Sequence, residues 1–458
     1  MQRKYRIHIG SRFVLIIALL IVIVGGTGWY ISHGHASNSA RAITAAEPAA
    51  QPGTVVASIP VTEDLTGPAS DSLAADFGFS WPEISVPWRR PPATRGVPEA
   101  YSQVYDPRVS LEAGDGGELG PLPPRRQVTV KGIYLTGYTA GNPQDLDALI
   151  KLVQSTELNT MVINVKDDDG RVTYKSSLPE VQAVRAATNQ IRDIKGLLDQ
   201  LHAAGIYVIA RIVTFKDPPL ARAHPDWSVQ SKNGGLWYDR RGLAWVDPSN
   251  QYVWQYNIAL AKEAAMLGFD EIQFDYVRFP TDGPVDLAVF PGMNGHDKTW
   301  VISSFLQQVR RVLGPMGVPI SADVFGLTTA AADDMRIGQH LEDVARYTDY
   351  VSPMVYPSHY GPYNYGLPDP DAQPYQTVLR GVGDAVRRLR FFTAQVRPWL
   401  QDFTLRHQYG PAEVRAEIEA AYQAGAREWL LWTAANHYTE AALAPKQAVS
   451  PQAAGAGP

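Results

Sequence analysis

The chain reads as an α/β protein, a (β/α)8 TIM barrel, and three features of its sequence predict this. Short apolar runs alternate strictly with helical patterns from about Gly132 to the mid-440s. Alternation of that kind implies a parallel sheet with its connecting helices outside it. Eight such units spread over roughly 310 residues suit a closed barrel of eight units better than an open sheet. The third feature is the turn after the first strand, Leu135-Thr136-Gly137-Tyr138-Thr139-Ala140-Gly141. It lacks the Gly-rich nucleotide turn that a doubly wound sheet announces at this point.

The strands expected are Gly132–Tyr138, Thr160–Lys166, Tyr207–Thr214, Glu271–Phe279, Pro319–Phe325, Tyr350–Tyr356, Gln395–Gln401 and Glu428–Ala434. Most are runs of Val, Ile, Leu and aromatic residues, as strands buried on both faces require. Between them Asp145–Gln154, Ile191–Ala204, Tyr252–Leu267, Trp300–Leu313, Ile337–Tyr347, Val378–Leu389 and Pro411–Ala424 carry apolar residues three and four apart, the helical period. Gly205, Gly268, Gly314 and Gly425 fall just past four of these helices, where a left-handed cap is wanted.

The termini differ from this core. Arg3, Lys4, Arg6 and Arg12 precede an uncharged run from Phe13 to Ser32, about the ~20 residues a helix needs to cross a bilayer. Residues 1–36 are therefore expected to be a cytoplasmic basic stub and a transmembrane anchor, with the rest of the chain extracytoplasmic by the positive-inside rule. A cleaved signal peptide is the other reading, with Gly34-His35-Ala36 as the cleavage site. Residues 37–126 form a Pro/Ala/Gly-rich linker, relieved only by the aromatic patches Phe77-Gly78-Phe79-Ser80-Trp81-Pro82 and Val86-Pro87-Trp88. The barrel spans 127–445, and 446–458 is an Ala/Gly/Pro tail.

Composition narrows the function. The formal net charge of −5 gives no case for nucleic acid. The chain has no cysteine, which excludes disulfides, thiolate metal sites and a cysteine nucleophile. No cofactor is implied. A metal-dependent deacetylase is disfavoured, because the sequence lacks clustered His ligands.

In a barrel of this type the chemistry sits at the C-terminal ends of the strands and in the loops after them. Strand two ends Asn164-Val165-Lys166-Asp167-Asp168-Asp169-Gly170. Either its acids are a solvated turn, or Asn164 and Lys166 face the mouth and bind substrate; a hard-cation site ranks lowest. Strand three carries Arg211 among apolar residues, where a guanidinium needs a partner. It is either a structural bridge or the group that holds Asp275. The segment from Asp217 to Asn250 is too long for a plain βα loop. Its Trp227, Trp237, Tyr238 and Trp245 suit sugar faces, or else a small core that staples the loop down.

Strand four supplies Asp275 and, three residues on, Arg278. Alternation places Asp275 on the interior face with Gln273. Strand five places Asp323 on one face with Ser321, as a second carboxylate or as a cap for the next turn. Two carboxylates on adjacent strand ends fit glycoside hydrolysis, with one ionised and one protonated. Strand six adds Tyr356, His359 and Tyr360, strand seven Asp402, and strand eight Trp432, one of Trp432 and Leu431 facing the pore. A lone loop histidine such as His359 is a weak signal.

These strand ends resemble a family of bacterial glycoside hydrolases related to the α-amylase clan of TIM-barrel enzymes. The motifs are Val130-Lys131-Gly132-Ile133-Tyr134, Val162 to Gly170, Ile209-Ala210-Arg211-Ile212-Val213, Phe274 to Pro280, Ser321 to Gly326, Pro353 to Tyr360 and Arg397 to Phe403. The resemblance implies a barrel that acts on a polysaccharide or oligosaccharide. Asp275 takes the place of the α-amylase nucleophile and Asp402 that of the third acid. Asp323 stands where those enzymes have a Glu, which leaves room for a wider, inverting separation of the carboxyls. Gln273 stands where they have an arginine, so Arg278 or Arg211 must serve instead. The site expected is thus Asp275, Asp323 and Asp402 for catalysis, with Asn164, Lys166, Asp167, Arg211, Trp237, Arg278, Tyr356, His359 and Trp432 on the substrate. The alternative is a glycan-binding barrel without catalysis on the cell surface.

Overall fold

The structure, a computed structural model, describes residues 128–446. The expected anchor, the linker and the tail beyond Lys446 lie outside these residues. Among the described residues no helix is long and apolar enough to cross a membrane.

Eight parallel strands form a closed barrel: β1 (Lys131–Leu135), β2 (Thr160–Lys166), β3 (Tyr207–Val213), β4 (Glu271–Asp275), β5 (Ile320–Phe325), β6 (Tyr350–Met354), β7 in two pieces (Gln395–Val396 and Trp399–Gln401) and β8 (Trp429–Trp432). Pairing of Lys131 with Trp429 joins the last strand to the first, and Trp399 pairs with both Met354 and Leu430. Helices α1 (Pro143–Ser155), α2 (Ile194–Ala203), α3 (Gln251–Leu267), α4 (Lys298–Leu313), α5 (Leu341–Ala345), α6 (Pro374–Leu389) and α7 (Pro411–Gln423) follow β1 to β7 in turn. Among the described residues only a 3-10 turn, Glu440–Ala442, follows β8.

Local chemistry sets the helix ends. Asn142, Asp193, Asn250 and Asp297 cap α1, α2, α3 and α4 through side-chain oxygens that accept backbone N–H groups of the first turn. Gly268 ends α3 with φ 115°. Gly314 departs from expectation. It stays right-handed and runs on into a 3-10 turn, and Gly317 (φ 68°) makes the left-handed stop three residues later.

Three elements are shorter than the apolar pattern suggests, each for a backbone reason. β4 stops at Asp275 because Tyr276 takes φ 50°, a left-handed value no strand can contain. β7 is broken at Arg397-Pro398, where proline has no N–H to give the ladder. α5 begins only at Leu341, because Met335, Arg336 and Gly338 all have positive φ.

The main core lies between strands and helices. Phe274 of β4 meets Phe305 of α4 edge-on at 5.5 Å, and Trp254 of α3 meets the same ring at 6.1 Å. Each such buried side chain contributes roughly 1.5–3 kcal/mol over exposure. A smaller apolar cluster, including Val162, Ile209, Trp399 and Leu430, fills the barrel itself. Below it an ionic layer closes the floor. Arg397 bonds Glu271 and Glu428, each at 2.7 Å, and Ser321 Oγ donates to Glu271 at 2.6 Å.

Candidate active site

The strand register assembles the site. Phe274 pairs with Ala322, so Asp275 and Asp323, one residue further along each strand, stand side by side at the top of the barrel. Arg211 lies on the other side of Asp275, for Val213 pairs with Asp275 and Arg211 with Gln273. Its guanidinium donates to Asp275 Oδ2 from Nε at 3.0 Å and from Nη2 at 2.5 Å. Its Nη1 donates to Asn164 Oδ1 at 2.8 Å and reaches Asp168 Oδ2 at 3.4 Å. Asn164 in turn donates to the Tyr134 hydroxyl at 2.8 Å, and that ring lies under the guanidinium.

Asp323 is 1% exposed and accepts one bond, from Trp399 Nε1 at 2.8 Å. Burial, then the neighbouring Asp275 carboxylate, push its carboxyl well above the usual range; Arg211 and the Trp399 N–H oppose this. The two acids thus sit in unlike settings: Asp275 shares a guanidinium, and Asp323 is buried beside it with its protonated form favoured.

Aromatic rings form one wall of the mouth. Trp432 stacks on Tyr134 at 6.2 Å and meets Tyr356 at 5.8 Å and Phe403 at 5.2 Å. Trp432 is therefore the member of its pair that faces the pore, while Leu431 is buried toward the helices. His359 is exposed at the rim, against Tyr356 at 5.3 Å.

Four expected site residues, Lys166, Asp167, Trp237 and Asp402, are placed otherwise. Lys166 does not reach the mouth. The β2–β3 register shifts between Asn164 and Lys166, and the irregularity turns Lys166 outward under α3. There its ammonium bonds Asp217 and Asn257, both at 2.7 Å. Asp167 holds its own turn, accepting from Asp169 N at 3.0 Å and Arg171 N at 2.9 Å. Trp237 is 1% exposed and donates to the Pro284 carbonyl, so it staples the long loop rather than presenting a face. Asp402 commits both oxygens to Thr439, at 2.9 Å to the backbone N and 2.6 Å to Oγ1, and anchors the loop after β8. Arg278 pairs with no carboxylate among the described residues; its guanidinium lies among the rings of Phe325, Tyr276 and Trp245 at 4.5, 5.0 and 5.1 Å.

The relocation of Lys166 has a measurable consequence. Lys166→Met strands a buried Asp217, so we expect a loss of about 3–5 kcal/mol in stability, seen as a lower Tm. Glycan binding by the folded protein should not change. A wild-type Tm with weakened binding would restore Lys166 to the mouth.

Residues 132–438 match the family model described as "Putative glycosyl hydrolase domain". The chain belongs to this family. No curated protein matches it. Among solved structures, a hypothetical protein from Ruminiclostridium thermocellum is 42% identical, covering 42% of this chain and 97% of its own, with a TM-score of 0.40. The PgaB (BpsB) glycoside hydrolase domain from Bordetella bronchiseptica is 15% identical, covering 70% of this chain and all of its own, with a TM-score of 0.51; that likeness concerns the fold.

In this glycosyl hydrolase domain four residues at the mouth escaped the sequence reading. Asp168 was hidden by the irregularity in β2, which breaks the simple alternation. Burial opposes its ionisation, but Arg211 and Lys216 outweigh that and hold its carboxyl below the usual range. Trp399 was within reach, since alternation from Arg397 puts both on the interior face. Lys216 and Tyr276 follow the ends of β3 and β4, beyond the last residues that periodicity can orient.

Proposed function

We propose that this chain hydrolyses a glycosidic bond in a polysaccharide of the cell envelope, with Asp323 as proton donor and Asp275 as the group acting at the anomeric carbon. The observation that carries this reading is the contrast between neighbours: Arg211 bonds Asp275 twice, while Asp323 is buried with one N–H for company. Hydrolysis needs one acid of each kind. Asp323 passes its proton to the glycosidic oxygen as the bond from that oxygen to the anomeric carbon breaks. Asp275 either adds to that carbon, to be displaced by water, or takes a proton from the water that attacks it. Trp432, Tyr356 and the rim His359 offer faces for sugar rings. Arg211 keeps Asp275 in position and so is a positioning residue. The basic stretch before the Phe13–Ser32 run supports an anchored enzyme with its barrel outside the cytoplasm.

Reducing-end release tests this directly. The full chain in mild detergent, beside Asp275→Asn, is incubated with envelope and storage glycans. Release by the wild type, reduced at least ~10³-fold in the variant, is the expected result. The anomer first released then separates the two roles for Asp275, retention for the nucleophile and inversion for the base. Saturable binding of a glycan with no release would overturn the catalytic reading in favour of a binding barrel.

A further inference from the structure

The mouth holds two buried cations that the hydrolytic pair does not use. Lys216, three residues past the end of β3, is 3% exposed; Arg278, three past the end of β4, is 6% exposed. A buried lysine or arginine is ordinarily paired with an acid. Neither forms an ion pair among the described residues. The Lys216 ammonium lies 4.7 Å from the centre of the Tyr276 ring, and the Arg278 guanidinium lies 5.0 Å from the centre of the same ring. Arg278 spends Nη1 on the Phe279 carbonyl at 3.0 Å and Thr281 Oγ1 at 3.4 Å. Among the described residues its Nε and Nη2, like Lys216 Nζ, find no acceptor, and none of the three is fully enclosed.

The nearby acids hydrogen-bond elsewhere, although the Lys216 charge also acts on Asp168. Asp168 and Asp275 bond Arg211. Asp239 accepts from the N–H groups of Arg241 and Leu243, both at 2.9 Å, and from Trp245 Nε1 at 3.2 Å. Tyr276, which carries both cations on its ring, holds a left-handed φ of 50° that a bulky residue rarely adopts. Such strain persists where surroundings enforce it and concentrates at functional sites. Asp275 Oδ1 accepts the Tyr276 N–H at 2.5 Å, which ties this ring to the catalytic carboxylate.

We infer that Lys216, Arg278 and Tyr276 form a subsite for an anionic substituent on the sugar next to the cleaved bond: a carboxylate, sulfate or phosphate. The inference rests on the glycan reading of the site. A point charge and a planar fork converge on one ring, and an anion seated there would find charge-assisted donors on two sides and the edge of a sugar against Tyr276. The substrate would then be an acidic glycan.

The test is calorimetric titration of the full chain in mild detergent, in an Asp323→Asn background that slows turnover. The probes are a hexuronate oligosaccharide, its carboxyl-reduced neutral counterpart, a sulfated oligosaccharide and inorganic phosphate. At least one charged probe should bind roughly tenfold or more tightly than the neutral sugar, and the best of them identifies the group. Lys216→Met and Arg278→Met should each erase the preference, and Lys216→Arg should keep it. Should a methionine variant fail to fold, salt decides instead: raising ionic strength must weaken the charged probe and spare the neutral one. Equal binding of charged and neutral sugars, or no binding of any charged probe, overturns the inference even if neutral glycans are hydrolysed. Preference for an anion without hydrolysis of any glycan supports the subsite and removes the catalytic reading.

Discussion

Asp323→Asn is expected to lower glycan hydrolysis by about 10²–10⁴-fold and, at pH 7, to melt at a higher temperature than the wild type. Asparagine keeps an oxygen for Trp399 Nε1 and removes the ionisable proton. The stability gain follows from linkage. The folded-state pKa of Asp323 is raised well above its ordinary value, first by burial and then by Asp275. The native protein therefore binds this proton more tightly than the unfolded chain does. Stability tied to it is complete below the unfolded pKa of about 3.9 and is lost as pH rises toward the folded pKa. Above that the native state carries a buried carboxylate beside Asp275, a burden the variant lacks. The Tm difference should thus grow from pH 4 upward and then level, at roughly 2–4 °C for each kcal/mol regained in a domain of ordinary size. The same ionisation removes the proton donor, so wild-type activity should fall along an alkaline limb at the pH where the Tm gap levels. A Tm gap that is flat across pH would show that Asp323 does not hold its proton.

Arg397→Met should cost about 3–5 kcal/mol, among the largest stability losses expected from a single change in this chain. Arg397 sits on the barrel axis at the floor, fully enclosed, with Glu271 and Glu428 at 2.7 Å and the Tyr350 ring at 3.5 Å from its guanidinium carbon. Deleting it strands two buried carboxylates, and the other side-chain donors to Glu271, Ser321 and Tyr207, are neutral hydroxyls. Replacing Glu271 by Gln in the same chain should recover a measurable part of the loss, since neighbours in one network are not additive. Chemical denaturation at pH 7 reads both. Losses for the pair that simply add would mean that Arg397 and Glu271 do not interact as their geometry requires.

The eight strands and their order were legible because buried parallel strands are apolar on both faces, and β2 runs Thr160–Lys166 as the pattern requires. The neighbouring pair Asp275 and Asp323 was legible as well, since alternation gives the face and strand order gives adjacency. Arg211 was legible as a guanidinium in an apolar strand that had to have a partner, and it is Arg211, not Arg278, that holds Asp275.

Elsewhere a single backbone event redirected the side chains. One irregularity in β2 moved Lys166 out to Asp217, and Asp168 reached Arg211 from the turn beyond it. The left-handed turn at Tyr276 ended β4 early and laid that ring between Lys216 and Arg278. Period and propensity carry no information past such a point, because each depends on regular geometry. Long-range closure likewise decided which of several loop acids and tryptophans became anchors: Asp402 on Thr439, Trp237 on Pro284. The sequence by itself therefore determined the barrel and the adjacency of Asp275 and Asp323, through local hydrophobic periodicity and strand order. Tertiary structure alone decided which cations serve that pair and which stay free beside it, because ion pairing is settled by where irregular backbone aims a side chain.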